Sequence, residues 1–205
     1  PQRRLAGSVW DLLILPALHR PIGSLKSALI LGFGAGAAGR MLQELLYFDQ
    51  ITGIDLDPIH LSIADGFFDC IEGCDLIAAD AVEWVTEGGD GTRYDLIIDD
   101  LYAEDCGYPQ RVAPLDLKWC RQLCQQLSPQ GILVFNMIEP QKVPFLPPLT
   151  NPSLRRRLPH HRVFSIGGYE NRVVAFSAKP FDPALLKSGL LRIGRTYPRC
   201  YGVGR

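Results

Sequence analysis

No charge of either sign dominates this sequence: 21 Lys and Arg stand against 22 Asp and Glu in 205 residues, a net charge of −1. That excludes a whole-molecule basic field for gripping nucleic acid, and nucleic acid is left out of the expected partners. Long apolar runs are missing too. The longest fall far short of a membrane span, and one of them, residues 28–39, is rich in glycine, so no membrane association is expected. Residues 9–18 are apolar and follow Arg3 and Arg4, yet no small-residue cleavage site comes after them. They read as a helix packed on the core, not as a signal peptide. Cysteine is present but not in metal-binding spacing. Cys70/Cys74 and Cys120/Cys124 are i,i+4 pairs, and neither they nor Cys106 and Cys200 form a Cys-x-x-Cys knuckle. The expectation is reduced, buried or half-buried thiols in a cytoplasmic protein, and no metal. Internal repeats are absent as well. What is there is a 47% hydrophobic chain, which excludes disorder and suffices for one core and one domain.

Residues 27–40, SALILGFGAGAAGR, organise the rest. Ala28 to Leu31 form the short apolar run of a buried strand. Gly32, Gly34, Gly36 and Gly39 follow, and then a helix-compatible stretch. Glycines let a backbone turn tightly and approach a ligand, and a helix N-terminus points free N–H groups at it. Alone, this pattern marks some anionic or nucleotide-like ligand.

Strand and helix then alternate. The first helix buries Met41, Leu42, Leu45, Leu46 and Phe48. Residues 51–54 read as a second strand ending at Asp55, and Pro58 opens a second helix. Residues 75–79 make a third strand ending at Asp80, and 94–98 a fourth that runs into Asp99 and Asp100. A long loop is expected over 101–114, holding Glu104 and Asp105, then a helix over 115–127 and a fifth strand over 132–137. The prolines of 139–152 make a stiff connection, and 162–166 with 172–177 form a hairpin. The expected fold is α/β, Rossmann-like and doubly wound: a mostly parallel seven-stranded sheet with an antiparallel C-terminal hairpin. An N-terminal helical segment (1–25) precedes this domain (26–179), and a tail (180–205) follows.

Right-handed crossovers bring the C-terminal ends of the parallel strands to one rim, where ligands bind in open α/β sheets. The glycine turn, Asp55, Asp80, Asp99 and Asp100 all fall there. Asp55 sits where a carboxylate accepts both ribose hydroxyls. Asp80, one strand outward, accepts from an adenine amino group, and Ala81 offers its backbone N–H to the ring. The glycines admit a nicotinamide dinucleotide or an adenosyl sulfonium. A pyrophosphate is poorly placed beside Asp99, Asp100, Glu104 and Asp105, whereas a cationic sulfonium nucleoside suits them.

On these residues the chain resembles the spermidine synthase family, within the S-adenosylmethionine-dependent methyltransferase folds, from about Leu25 to Leu133. Leu29-Ile30-Leu31-Gly32-Phe33-Gly34-Ala35-Gly36 is similar to the family's glycine motif, and 53–58 to its ribose-binding motif. Residues 79–84 resemble its adenine-binding segment, and 94–100 its fourth strand, with Asp100 on the catalytic aspartate. Tyr169, in Ile166-Gly-Gly-Tyr169, corresponds to a substrate-contacting tyrosine. The resemblance implies a class I methyltransferase-like fold. It also implies an alkyltransferase that binds S-adenosylmethionine or its decarboxylated form through Gly32, Gly34, Gly36, Asp55, Asp80, Ala81 and Asp99. Product would be methylthioadenosine or adenosylhomocysteine. An amine would sit against Asp99, Asp100, Glu104, Asp105 and Tyr169, with Asp100 as its base. A homodimer is compatible with this reading. Departures are also visible: the family's N-terminal β-domain is not expected in the short stretch before the first strand, and Leu101-Tyr102-Ala103-Glu104 replaces Ser-(Ser/Thr)-Asp-Pro. Methyl transfer to a small acceptor and non-catalytic nucleoside binding therefore stay open beside aminopropyl transfer.

Overall fold

The computed structural model describes residues 7–68, 73–193 and 202–204. The chain opens with α1 (Val9–Ile14) and enters β1 (Ser27–Leu31), α2 (Ala37–Leu46), β2 (Gln50–Asp55), α3 (Pro58–Phe68) and β3 (Cys74–Ala78). It continues through α4 (Ala81–Thr86), β4 (Tyr94–Asp99), β5 (Tyr102–Asp105), β6 (Tyr108–Arg111), α5 (Leu117–Gln126) and β7 (Leu127–Met137). The last part holds α6 (Pro147–Thr150), α7 (Pro152–Arg157), β8 (His160–Ser165), β9 (Arg172–Ser177), α8 (Pro183–Arg192) and β10 (Gly202–Gly204).

The main sheet has the order β3-β2-β1-β4-β7-β9-β8-β10. Strands β3, β2, β1, β4 and β7 are parallel, and the remaining pairings are antiparallel. Seven of these strands make the expected sheet, and β10 pairs with β8 as an eighth. Strand order reverses between β1 and β4, so the crevice above their C-terminal ends is the ligand-binding position of such sheets. Helices cover both faces. One layer packs α1, α2 and α3 on Ile30, Leu96 and Ile98; the other packs α4 and α5 on Leu29, Leu31 and Ile97. The alternation along β1 and β4 is the period of two of a strand buried on both sides.

Within 180–205, α8 docks on the turn after α1. The His19 Nδ1 lies 2.8 Å from the carbonyl oxygen of Asp182, and its ring meets Phe181 edge-on. Burial pushes the His19 pKa down to about 4, so it serves as a neutral packing residue. Cys120 and Cys124 are buried free thiols, Cys74 is half-buried and Cys106 is exposed; Cys70 and Cys200 lie outside the described residues. Among the described residues, no helix is long and apolar enough to cross a membrane.

One correction concerns residues 101–114. They are not a loop: β5 and β6 form a separate two-stranded hairpin, with Tyr102 opposite Arg111 and Asp105 opposite Tyr108. Cys106 and Gly107 turn it, both at positive φ (51° and 84°), as a tight hairpin turn demands. The sequence hid it because both strands lack apolar alternation and the turn carries Cys-Gly in place of Asn-Gly.

Phe33, inside the glycine turn, wedges between β2 and α2. A Cβ on Gly53 would lie 2.4 Å from its ring, and one on Gly39 would lie 2.8 Å away. The last glycine of the motif is therefore a packing position. Gly53→Ala is expected to destabilise the fold by about 1–3 kcal/mol through overpacking. Gly66→Ala, where a Cβ meets nothing within 4 Å, should stabilise α3 by about 0.5–1 kcal/mol. Urea denaturation of both variants checks this; equal midpoints would remove the packing role of Gly53.

Candidate active site

The site begins where β1 breaks. Gly32, Gly34 and Gly36 hold φ of +82°, +55° and +82°, backbone that other residues rarely adopt. At Gly32 a second constraint applies: a Cβ would lie 2.3 Å from the carbonyl oxygen of Asp100. The Asp100 N–H donates to the Leu31 carbonyl at 2.9 Å, so the ends of β1 and β4 are pressed together. Gly36 starts α2 as its N-cap.

Asp55 ends β2 and fastens the turn to it. Its Oδ2 accepts from the Gly34 N–H at 2.7 Å; its Oδ1 accepts from the Asp57 N–H at 3.0 Å and lies 3.3 Å from His60 Nδ1. The next strand end is joined through the backbone, where the Ala79 N–H donates to the Asp55 carbonyl at 3.0 Å. Asp80 follows as the N-cap of α4, one carboxylate oxygen accepting from the N–H groups of Val82 and Glu83. Its other oxygen faces outward on an exposed residue next to Ala81.

A cavity of about 430 Å³ lies above the glycine turn. The turn makes its floor, Asp55 and His60 one end, and Asp100 with Tyr102 the other; Trp10 and Leu13 of α1 form a wall. Among the described residues, the lining includes two carboxylates and no Lys or Arg. The Asp100 Oδ1 accepts from Asn136 Nδ2 at 2.7 Å. Burial pushes the Asp100 carboxyl up to about 7; the Asn136 hydrogen bond and the Arg111 charge oppose that rise, and Asp99 adds to it. A carboxylate titrating there is matched to proton transfer at neutral pH.

Among the described side chains, the acidic group expected at the end of β4 does not assemble. Asp99 and Asp100 are consecutive, so they point to opposite faces of the sheet. Asp99 is 0% exposed on the α5 side, where it accepts from Arg111 Nη2 at 2.5 Å and from the Trp119 indole N–H at 2.7 Å. It is a structural anchor, and the cofactor-binding reading is corrected. Glu104 is exposed on β5 and outside the cavity lining, and the Asp105 side chain lies outside the described residues. Tyr169 is 41% exposed on the β8–β9 turn and does not line the cavity. Asp80 and Ala81 follow β3, the neighbour of β2, and do not line the cavity.

Four contributors escaped the sequence reading. Trp10, in the stretch read as a helix packed on the core, is 50% exposed and lines the cavity. The His60 Nδ1 lies 3.3 Å from Asp55 Oδ1. Tyr102 shares the face of Asp100 by the strand period. Asn136 is a buried amide in an otherwise apolar strand, and that oddity was the available signal.

Comparison with known proteins gives three findings. No family model matches the chain. A probable polyamine aminopropyl transferase of Bifidobacterium longum is 30% identical over 134 residues, 65% of this chain; the chain spans only 28% of that protein's length. Among solved structures, human methyltransferase-like protein 13 in complex with SAH superposes with a TM-score of 0.69 at 17% identity, covering 93% of this chain and 95% of that one. Spermidine synthase from Thermotoga maritima gives 0.63 at 16% identity, covering 94% of this chain and 67% of that one. At these identities the two structures establish the shared class I methyltransferase-like fold.

Proposed function

We propose that this chain, spermidine synthase-like in sequence and built on the methyltransferase fold, is an alkyltransferase. It would bind S-adenosylmethionine or its decarboxylated form and move an aminopropyl group to a small amine. The observation that carries this reading is the cavity: a glycine turn between two carboxylates, Asp55 and Asp100, with no Lys or Arg among the described residues of its lining. A pyrophosphate would find no counter-charge there, and a free amino-acid carboxylate would face Asp100, whereas a cationic sulfonium is matched. This argues against a dinucleotide and favours the decarboxylated form. The aminopropyl transferase relative supports the same choice.

The nucleoside supplies an electrophilic carbon bonded to a cationic sulfur. Asp55 receives the ribose hydroxyls, giving up its contact with the exposed His60 ring. The outward oxygen of Asp80 accepts from the adenine amino group. Asp100 holds the amine by hydrogen bond and orients its nitrogen. The nitrogen lone pair forms the new C–N bond as the C–S pair leaves on sulfur, and the surplus amine proton passes to Asp100. Methyl transfer to a small acceptor is the second reading. It is favoured by the absence of Glu104 from the cavity lining, which among the described side chains leaves Asp100 as the carboxylate at the β4 end of the cavity.

The test is a thermal-shift and turnover series with methylthioadenosine, S-adenosylmethionine and its decarboxylated form. A rise in Tm with each nucleoside is expected, with methylthioadenosine released only from the decarboxylated form in the presence of an amine. Adenosylhomocysteine as the product would select methyl transfer, and no shift with any of the three would overturn the nucleoside reading.

A further inference from the structure

Asn136 is 5% exposed in β7 and is held from every side. Its Nδ2 donates to Asp100 Oδ1 at 2.7 Å, and its Oδ1 accepts from Asn171 Nδ2 at 3.0 Å. Its backbone carbonyl accepts from the Tyr102 hydroxyl at 2.7 Å, the same hydroxyl that receives the Ile138 N–H at 3.4 Å. The backbone is thereby fixed, and the one freedom left to Asn136 is which end of its amide meets Asp100.

That choice has chemical consequences. An ionised carboxylate only accepts hydrogen bonds, so it needs the NH2 end; a protonated one donates, and suits the oxygen end. Asn171, just ahead of β9, donates to the oxygen of Asn136 and so turns its NH2 toward Asp100. We propose that Asn171 acts through Asn136 as a positioning pair that keeps Asp100 in its acceptor form, poised as the base of the cavity. The inference rests on the alkyltransferase reading and deepens it, because it names what makes Asp100 available for a proton. It also joins the β8–β9 turn, which carries Tyr169, to the reacting carboxylate.

The charged and titratable surroundings of Asp100 are few. Asp99 lies beside it on β4; Arg111 and Tyr102 approach from the hairpin; Asp55 and His60 face it across the cavity. From α1 the cavity receives Trp10 and Leu13, while the buried Asp11 is turned to the N–H groups of Gly7 and Ser8. From β7 Asp100 meets the neutral amide of Asn136. Burial raises the Asp100 pKa, and among the neighbours Asn136 and Arg111 oppose the rise.

The experiment follows Asp100 directly, through the side-chain carboxyl 13C shift of Asp-labelled protein, with Asp100→Asn identifying the signal. Asn171→Leu removes the donor without adding charge. It is expected to raise the Asp100 titration by about half a pH unit or more, lowering turnover near neutrality about threefold with little change in nucleoside affinity. Asn171→Asp, acceptor only, forces the Asn136 amide to reverse and should raise the titration by about one pH unit or more. Asn171→Gln, which keeps the donor, should behave as the native chain. An unmoved Asp100 signal in both Leu and Asp variants overturns the inference, and so does a shift confined to the Asp variant, which charge alone would explain. The alkyltransferase reading fails separately, if none of the three nucleosides shifts the Tm or is turned over; retained turnover in Asp100→Asn would remove only the base assignment, whatever the titration shows.

Discussion

Replacing Asp100 with Asn is expected to cut turnover by about 10²–10⁴-fold, the usual contribution of a positioned general base. Methylthioadenosine binding should stay within a factor of about three, since the proposed nucleoside contacts lie at the Asp55 end. The same variant should be more stable than the native chain in alkaline solution. Burial holds the Asp100 carboxyl of the folded chain at about 7, above the ordinary aspartate value of 3.8. Between those values the folded state keeps a proton that the unfolded state has released. The stability this contributes is full below the lower value and is lost as pH rises through about 7. Removing the carboxyl removes that loss. Asp100→Asn should therefore gain up to about 3 kcal/mol over the native chain at pH 8, with the gain shrinking toward pH 4. Thermal unfolding from pH 4 to 8, set beside turnover, checks both halves. Undiminished turnover would remove Asp100 from the mechanism, and a pH-independent difference in stability would remove the raised pKa.

Arg111→Ala should be the most destabilising single change outside the hydrophobic layers, costing about 3–5 kcal/mol. The Arg111 guanidinium lies 2.5 Å from Asp99, and side-chain exposures of 10% and 0% leave water little access to either. Without it Asp99 keeps only the Trp119 N–H, and a buried carboxylate stands unpaired. The guanidinium also lies 5.6 Å from the ring centroid of its cross-strand partner Tyr102, and its pair with Asp99 fastens the hairpin to the end of β4. Arg111→Lys should recover part of the loss, because an ammonium replaces the charge but not the planar fork. The double variant Asp99→Asn, Arg111→Met should be closer to native than Arg111→Ala, since neither charge is then stranded. Chemical denaturation of the set decides it: an Arg111→Ala variant within about 1 kcal/mol of native would mean the pair is not an anchor.

Much of the fold was legible because its signals are local. Apolar runs of strand length, helical stripes and a Pro at a helix start identify themselves within a few residues, and the crossover rule then places the strand ends on one rim. The β5–β6 hairpin was not legible because its residues are polar on both faces and a non-standard turn joins them. The site was half legible. Asp55, Asp100, Gly32 and Gly34 line the cavity. Gly39 carries the motif's spacing for a different reason, since the ring that needs the space belongs to Phe33.

By itself the sequence determined the α/β alternation, the glycine turn and the row of acids at the strand ends, because each depends on neighbours along the chain. It placed Asp99 and Asp100 together at the end of the fourth strand as parts of one acidic group. Only the tertiary structure decided which of the two enters the cavity. That choice depends on Arg111, brought back by the hairpin, and Trp119, brought up on α5, which claim Asp99 on one face. Asn136, delivered by β7 and backed by Asn171 of the β8–β9 turn, meets Asp100 on the other. Partners so far apart in the chain are fixed by packing and by the demand that buried polar groups be satisfied, and no local pattern encodes either.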